Sequence, residues 1–292
     1  GNWNTASGKY ALRYNTTAPY NVAIGACSSF NNATGENNTA VGYQSLKTNT
    51  SSNDNTALGT YALCLTTGHS NTAVGKSAVQ ANSTGALNTG IGKFALSSNT
   101  TACYNTAVGG CSLYSNTTGA CNTALGFATL LSSTCANRNV AIGTNALCAT
   151  TTGSCNIAIG HDSLRCNTTG QRNTASGSYT LKGNTTGNHN SAFGYAALIN
   201  NSTGSYNTAS GYKAATGTST GKYNTAHGSF ALCKNSTGCC NVAIGMNALL
   251  CNTTAHDNTA VGTRSLATNS TGERNTALGQ GALQCNTTGS RN

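Results

Sequence analysis

The phrase Asn-x-Ala-x-Gly, once with Gly90 in place of the Ala, recurs seventeen times in this chain. Its copies begin at residues 4, 21, 38, 55, 71, 88, 105, 122, 139, 156, 173, 190, 207, 224, 241, 258 and 275. Every step is 17 residues except one of 16, between Asn55 and Asn71. A fixed period is the signature of a repeat architecture, and one this short cannot hold a pair of helices. Asn, Thr and Gly are also poor helix formers. The period fits one coil of a parallel β-solenoid. The expected fold is therefore all-β, one coil per 17 residues, about 17 coils, in a single repeat array over residues 1–292. Coils stacked at about 4.8 Å make a rod of about 80 Å.

Composition alone points elsewhere. Only 7% of residues are charged, and Asn, Thr, Ser, Ala and Gly dominate. Polar chains of low complexity are usually disordered, but strict periodicity overturns that reading. No stretch approaches 18 apolar residues, so no membrane insertion is expected. No initiator Met and no signal peptide are read in the sequence. The net charge is +10, yet the fifteen Lys and Arg are scattered singly. Nucleic-acid binders cluster their charge, so a solvated surface and no nucleic-acid partner are expected. Gly1, Asn2 and Trp3 fit positions 15 to 17 of a preceding copy, and Asn292 fits position 1 of a following one. Solenoids normally carry polar caps. Uncapped ends predict a window of a longer array or a subunit that stacks end to end.

With the Asn of each phrase as position 1, the consensus is N-T-A-φ-G-x-x-A-L-x-x-N-T-T-G-x-x, where φ is apolar. Position 5 is Gly in every copy, from Gly8 to Gly279, which predicts a positive φ or a close backbone approach. Position 15 is Gly in twelve copies and Ala or Ser otherwise, a second and more tolerant corner. Position 3 is Ala sixteen times, with Gly90 the exception, and position 9 is Leu fourteen times. Alternation along a strand puts positions 3 and 5 on one face and positions 2 and 4 on the other. An Ala column that never grows is sterically confined, so it belongs inside. Position 4 accepts Ser7, Ser176, Ser210 and His227, which a deep core rejects. Its thirteen apolar members, Ile24, Val41, Leu58, Val74, Ile91, Val108, Leu125, Ile142, Ile159, Phe193, Ile244, Val261 and Leu278, are read as an outward stripe and a subunit interface. The rival reading reverses the faces and makes position 4 the core.

Stacked position-1 Asn side chains can hydrogen-bond from coil to coil. Position 12 opens an Asn-x-Thr/Ser sequon in thirteen copies: Asn15, Asn32, Asn49, Asn82, Asn99, Asn116, Asn167, Asn184, Asn201, Asn235, Asn252, Asn269 and Asn286. These are N-glycosylation candidates; the competing reading is turn chemistry. Asn37 and Asn200 open two further sequons outside that column. Three cysteine pairs are 18 residues apart: Cys103 with Cys121, Cys148 with Cys166, and Cys233 with Cys251. That spacing means the next coil shifted by one position, within disulfide range, and predicts staples between coils in an oxidising compartment. Neither a metal site nor a cofactor is expected: no CxxC occurs and the five His fall at no ligand spacing.

The segments "NTAVGYQSLKTN", "NTALGTYAL" and "NTTGACNTALG" resemble the NTAxGxxAL-type repeats of tail-fibre-like and surface-fibre proteins of bacteria and viruses. "NVAIGTNAL" and "NIAIG" are similar to the repeats of trimeric autotransporter adhesin heads. That second resemblance implies left-handed parallel β-rolls that trimerise. The expectation is a structural extracellular fibre or adhesin-like shaft, on a cell or virion surface. It self-associates laterally or end to end, with cell-surface or matrix glycans as further partners. An ice-binding solenoid is the alternative, because position 2 is Thr in twelve copies. A polysaccharide-active enzyme needs positioned carboxylates. Only Glu36/Asp54 and Asp257/Glu273 fall about one coil apart, so no enzyme is expected.

Overall fold

A computed structural model describes residues 1–292. It contains no helix and seventeen three-residue strands, each at positions 2 to 4 of one repeat. Strands of neighbouring repeats pair in parallel, as Ala6 with Ala23, Ala23 with Ala40 and Ala158 with Ala175. The chain is a β-solenoid. It forms two compact units, Gly1–Asn145 and Ala146–Asn292. The first holds the strands from Thr5–Ser7 to Val140–Ile142, the second those from Ile157–Ile159 to Thr276–Leu278. Register is without slip: Ala pairs with Ala and position 4 with position 4, as in Ala40↔Ala57 and Val41↔Leu58. Even the 16-residue repeat keeps this register, with Ala57↔Ala73.

The strand ends at the position-5 glycine. These glycines have φ between 108° and 136°, a region that L side chains rarely adopt. A Cβ on Gly109 would also lie 2.4 Å from the carbonyl oxygen of Gly126. Both sequence-level reasons for this glycine therefore hold. The next residues form two tight turns, closed by Ala11 N–H to the Gly8 carbonyl at 3.2 Å and by Asn15 N–H to the Leu12 carbonyl at 3.1 Å.

Those turns use a conformation that the sequence does not announce. Positions 7, 9 and 17 are left-handed although they are seldom Gly or Asn. The position-9 leucines have φ of 48° to 53°, for example Leu46, Leu113 and Leu249. A non-Gly residue there costs on the order of 1–3 kcal/mol. Burial offsets the cost, since these leucines are fully enclosed except Leu12 and Leu283 in the outermost coils and burying a Leu gains about 1.5–3 kcal/mol. They also donate their N–H to the next coil, as Leu96 does to Ser112 at 3.0 Å and Leu249 to Ser265 at 3.0 Å.

The interior is thin and half polar. Position-3 Ala and position-9 Leu are fully buried in all but the outermost coils. The Ala, Ser and Thr of position 8 join them, with hydroxyls turned onto backbone, as in Ser112 Oγ to the Gly109 carbonyl at 2.9 Å. Position 4 lies outside, which decides between the two face assignments: Ile24 is 42% exposed while its neighbour Ala23 is at 0%. The single Gly in the Ala column also has a cause. A Cβ on Gly90 would lie 2.5 Å from Cγ2 of Val79, a β-branched residue in the Leu column of the preceding coil. No helix is long and apolar enough to cross a membrane.

Candidate functional site

Two asparagine ladders run through each unit. The amide of Asn105 illustrates the first. Its Nδ2 donates to Asn88 Oδ1 at 3.3 Å and to the Gly119 carbonyl at 2.9 Å. Its Oδ1 accepts the backbone N–H of Asn122 at 2.9 Å and that residue's Nδ2 at 3.2 Å. A buried amide is costly unless satisfied, and here the satisfying partner is the same residue one coil away. This is the ladder expected at position 1.

Position 12 carries a second ladder, and it corrects the glycosylation reading. Asn32, Asn49, Asn82, Asn99, Asn116, Asn167, Asn184, Asn201, Asn235, Asn252 and Asn269 are all fully buried. Asn15 and Asn286, the outermost two, are half-buried. Nδ2 of Asn99 donates to Asn82 Oδ1 at 2.8 Å and to the Ala102 carbonyl at 3.0 Å. The atom that would carry a glycan is thus an interior donor, and the folded coil has no room for a sugar there. The position-13 hydroxyls extend the same system, as in Thr100 Oγ1 to the Thr117 carbonyl at 3.0 Å. Asn37 and Asn200 have exposed side chains.

The two ladders meet at position 15. The Gly119 carbonyl accepts Nδ2 of both Asn105 and Asn116, each at 2.9 Å. The chain passes between the two Asn columns here, which is why only Gly, Ala or Ser occupies the site. Its glycines have no positive φ, so crowding and not backbone conformation selects them.

The second ladder has gaps. Thr66, Ser133, Thr150 and Thr218 replace Asn. Thr66 keeps the rung, since its Oγ1 accepts from Asn82 Nδ2 at 3.0 Å and from the Gly68 N–H at 3.2 Å. The hydroxyls of Ser133 and Thr218 find no partner, and neither do the Asn116 and Asn201 oxygens of the rungs before them.

All fourteen cysteines are free thiols, which corrects the disulfide expectation at all six residues. Contrary to that expectation, Cys103 is not bonded to Cys121, which is an exposed free thiol. Cys148 is not bonded to Cys166: contrary to the prediction, Cys166 is a free thiol, exposed where Cys148 is half-buried. Cys233 is not bonded to Cys251: contrary to the prediction, Cys251 is a half-buried free thiol. Contacts of the sulfurs give the reason in two of the pairs. Cys103 Sγ accepts the N–H of Ala86 at 3.3 Å, and Cys233 Sγ lies 2.9 Å from Thr216 Oγ1. Each of these sulfurs turns toward the preceding coil, while Cys121 and Cys251 sit on the following one. In the third pair, the one-position shift leaves Cys148 partly under cover and Cys166 in solvent. Burial pushes the Cys64 and Cys148 thiols up from their usual range.

Among the acids, Asp257 pairs with Arg274 at 3.8 Å, and Asp54 meets Glu36 through backbone only, its N–H on the Glu36 carbonyl at 3.1 Å. Asp162 is the buried acid, held by Lys182 at 3.1 Å and Arg165 at 3.3 Å. Sequence reading passed over this cluster, although its signal was present: Arg165 and Lys182 occupy position 10 of successive repeats.

Outside, the coils present columns. Position 17 carries the stacked rings of His189, Tyr206 and Tyr223, with centroids 4.8 and 5.1 Å apart, a direct reading of the coil rise. The sheet face carries two parallel rows, the mostly Thr row of position 2 and the mostly aliphatic row of position 4. Ile91, Leu125, Ile159, Phe193 and Ile244 are each exposed by roughly two-fifths. Val41, Val74, Val108, Ile142 and Val261 are intermediate, and Leu58 and Leu278 are exposed. No protein-family model matches the chain, and no curated protein is significantly similar to it.

Proposed function

We propose that this chain is a structural shaft that works outside the cell, on a cell or virion surface, and associates with copies of itself. One observation carries the reading: the polar interior is spent on holding coil to coil. Position-1 amides, position-12 amides, position-13 hydroxyls and backbone N–H groups all bond along the stack. Such a design resists bending and separation of coils, which is what a shaft requires. The resemblance of the repeats to those of tail-fibre-like and surface-fibre proteins supports the location. The outward aliphatic row supports self-association. N-linked glycans on the folded shaft are confined to Asn37 and Asn200, whose side chains are exposed. Electron microscopy of the purified chain is the test. Rods or filaments of constant width are expected; dispersed compact particles overturn the reading.

A second reading has one observation in its favour. The Thr row of position 2 and the apolar row of position 4 share one exposed, regularly spaced sheet face. Such a face can order water against ice. Thermal hysteresis at micromolar protein supports that reading, and its absence dismisses it.

A further inference from the structure

The outward row differs between the two units. In the first, position 4 is aliphatic on eight consecutive rungs, from Ile24 to Ile142. In the second, Ser176, Ser210 and His227 interrupt it. Neither row of the first unit's sheet face contains a charged residue, so covering that face strands no ion, as the core of a specific interface requires.

We propose that the sheet face of residues 22–142 is the self-association surface, and that its occupant is the same face of a second copy of this chain. The inference rests on the shaft reading and narrows it to one segment. Periodicity selects the occupant. The ridges of the row repeat once per coil with no slip in register, even through the 16-residue repeat. A partner whose side chains repeat at any other spacing falls out of step within a few rungs. A second copy stays in step over all eight. Exposure points the same way. Ile24, Leu58, Ile91 and Leu125 are exposed by 42%, 36%, 39% and 46%, and Val41, Val74, Val108 and Ile142 between and beyond them are partly exposed, so the apolar row is open over all eight rungs. The second unit, interrupted on three rungs, cannot match this with continuous apolar contact.

Sedimentation velocity on the full chain, under reducing conditions and over about 1–100 µM, tests the proposal. The native chain is expected to assemble. Ile91→Lys with Leu125→Lys should weaken assembly by roughly a hundredfold or more, since two charges are then buried in the contact. Ile244→Lys, in the second unit, should assemble like the native chain. Far-UV circular dichroism checks that each variant is folded. Should the lysine pair fail to fold, Ile91→Ser with Leu125→Ser replaces it, because position 4 already carries Ser at 176 and 210. If the native chain assembles and the first-unit variants do so equally well, this proposal falls while the shaft reading stands. If Ile244→Lys alone disperses the assembly, the result is the same. A native chain that stays single at every concentration overturns both.

Discussion

A primary amide has two donor hydrogens and an oxygen with two lone pairs. The Asn105 amide uses all of this capacity, and Asn99 uses both donor hydrogens, one on Asn82 Oδ1 and one on the Ala102 carbonyl. The gaps then predict energies. At Thr218 a short hydroxyl stands where a carboxamide would reach, leaving Asn201 Oδ1 and its own Oγ1 without partners. Thr218→Asn should restore the rung and stabilise the chain by about 1 kcal/mol, seen as a higher urea midpoint. The reverse change, Asn99→Thr, breaks a filled rung and should cost about 1–3 kcal/mol. No gain from Thr218→Asn would mean that bound water already completes the gap. A different residue-scale outcome concerns reactivity. The thiolate is the reactive form, and burial raises the Cys64 thiol above its usual range. Cys64 is also buried, whereas Cys135 is exposed to the reagent. Timed alkylation at pH 8, followed by peptide mass spectrometry, should therefore find Cys64 modified later than Cys135.

At the scale of one coil, the strand, its glycine corner and the Ala and Leu columns were legible in the sequence, because each position repeats seventeen times and its tolerance can be read directly. Ala at position 3 beside Ser and His at position 4 favoured one assignment of the faces, and the exposure of Ile24 beside buried Ala23 decided it. The left-handed turns at positions 7, 9 and 17 were not legible. The usual marker, Gly or Asn, is rare there, and the conformation is held by packing and by coil-to-coil bonds. The second ladder was hidden for another reason: Asn-Thr-Thr-Gly is equally good turn chemistry, a good sequon and a good ladder rung, and only burial separates the three. Cysteine spacing misled in a related way. A step of 18 places Cys166 one coil beyond Cys148, and Cys251 one coil beyond Cys233, but it does not set the direction in which each sulfur points. The exception at Gly90 gives this scale its prediction. The Val79 methyl occupies the space of the missing Cβ, so Gly90→Ala alone should be destabilising by about 1–3 kcal/mol. Val79→Leu restores the residue used in the other coils and makes room. The double variant Val79→Leu with Gly90→Ala should recover most of that loss, a coupling that a double-mutant cycle in urea reads directly. Additive effects of the two changes would show that the contact does not set the Gly.

At the scale of the molecule, a stack in which each coil bonds only to its neighbours has stability that accumulates coil by coil. The length of such a chain is then a free variable, while the register within a coil is not. The 16-residue repeat already shows what is tolerated: one residue is lost at the position-13 to position-14 corner, Thr66 takes over the ladder rung, and the strands on both sides stay paired in register. Removing residues 190–206, one whole coil of the second unit, brings Asn173 against Asn207 and leaves the His189 ring to stack on Tyr223 in place of Tyr206, so every column stays in register. That deletion should preserve the β signal in circular dichroism and lower the urea midpoint only slightly. Removing residues 190–198 instead, about half a coil, sets buried columns against outward ones and leaves ladder amides without partners, each costing about 1–3 kcal/mol. The half-coil deletion should lose its β signal, or the stack is held by something other than the coil-to-coil register.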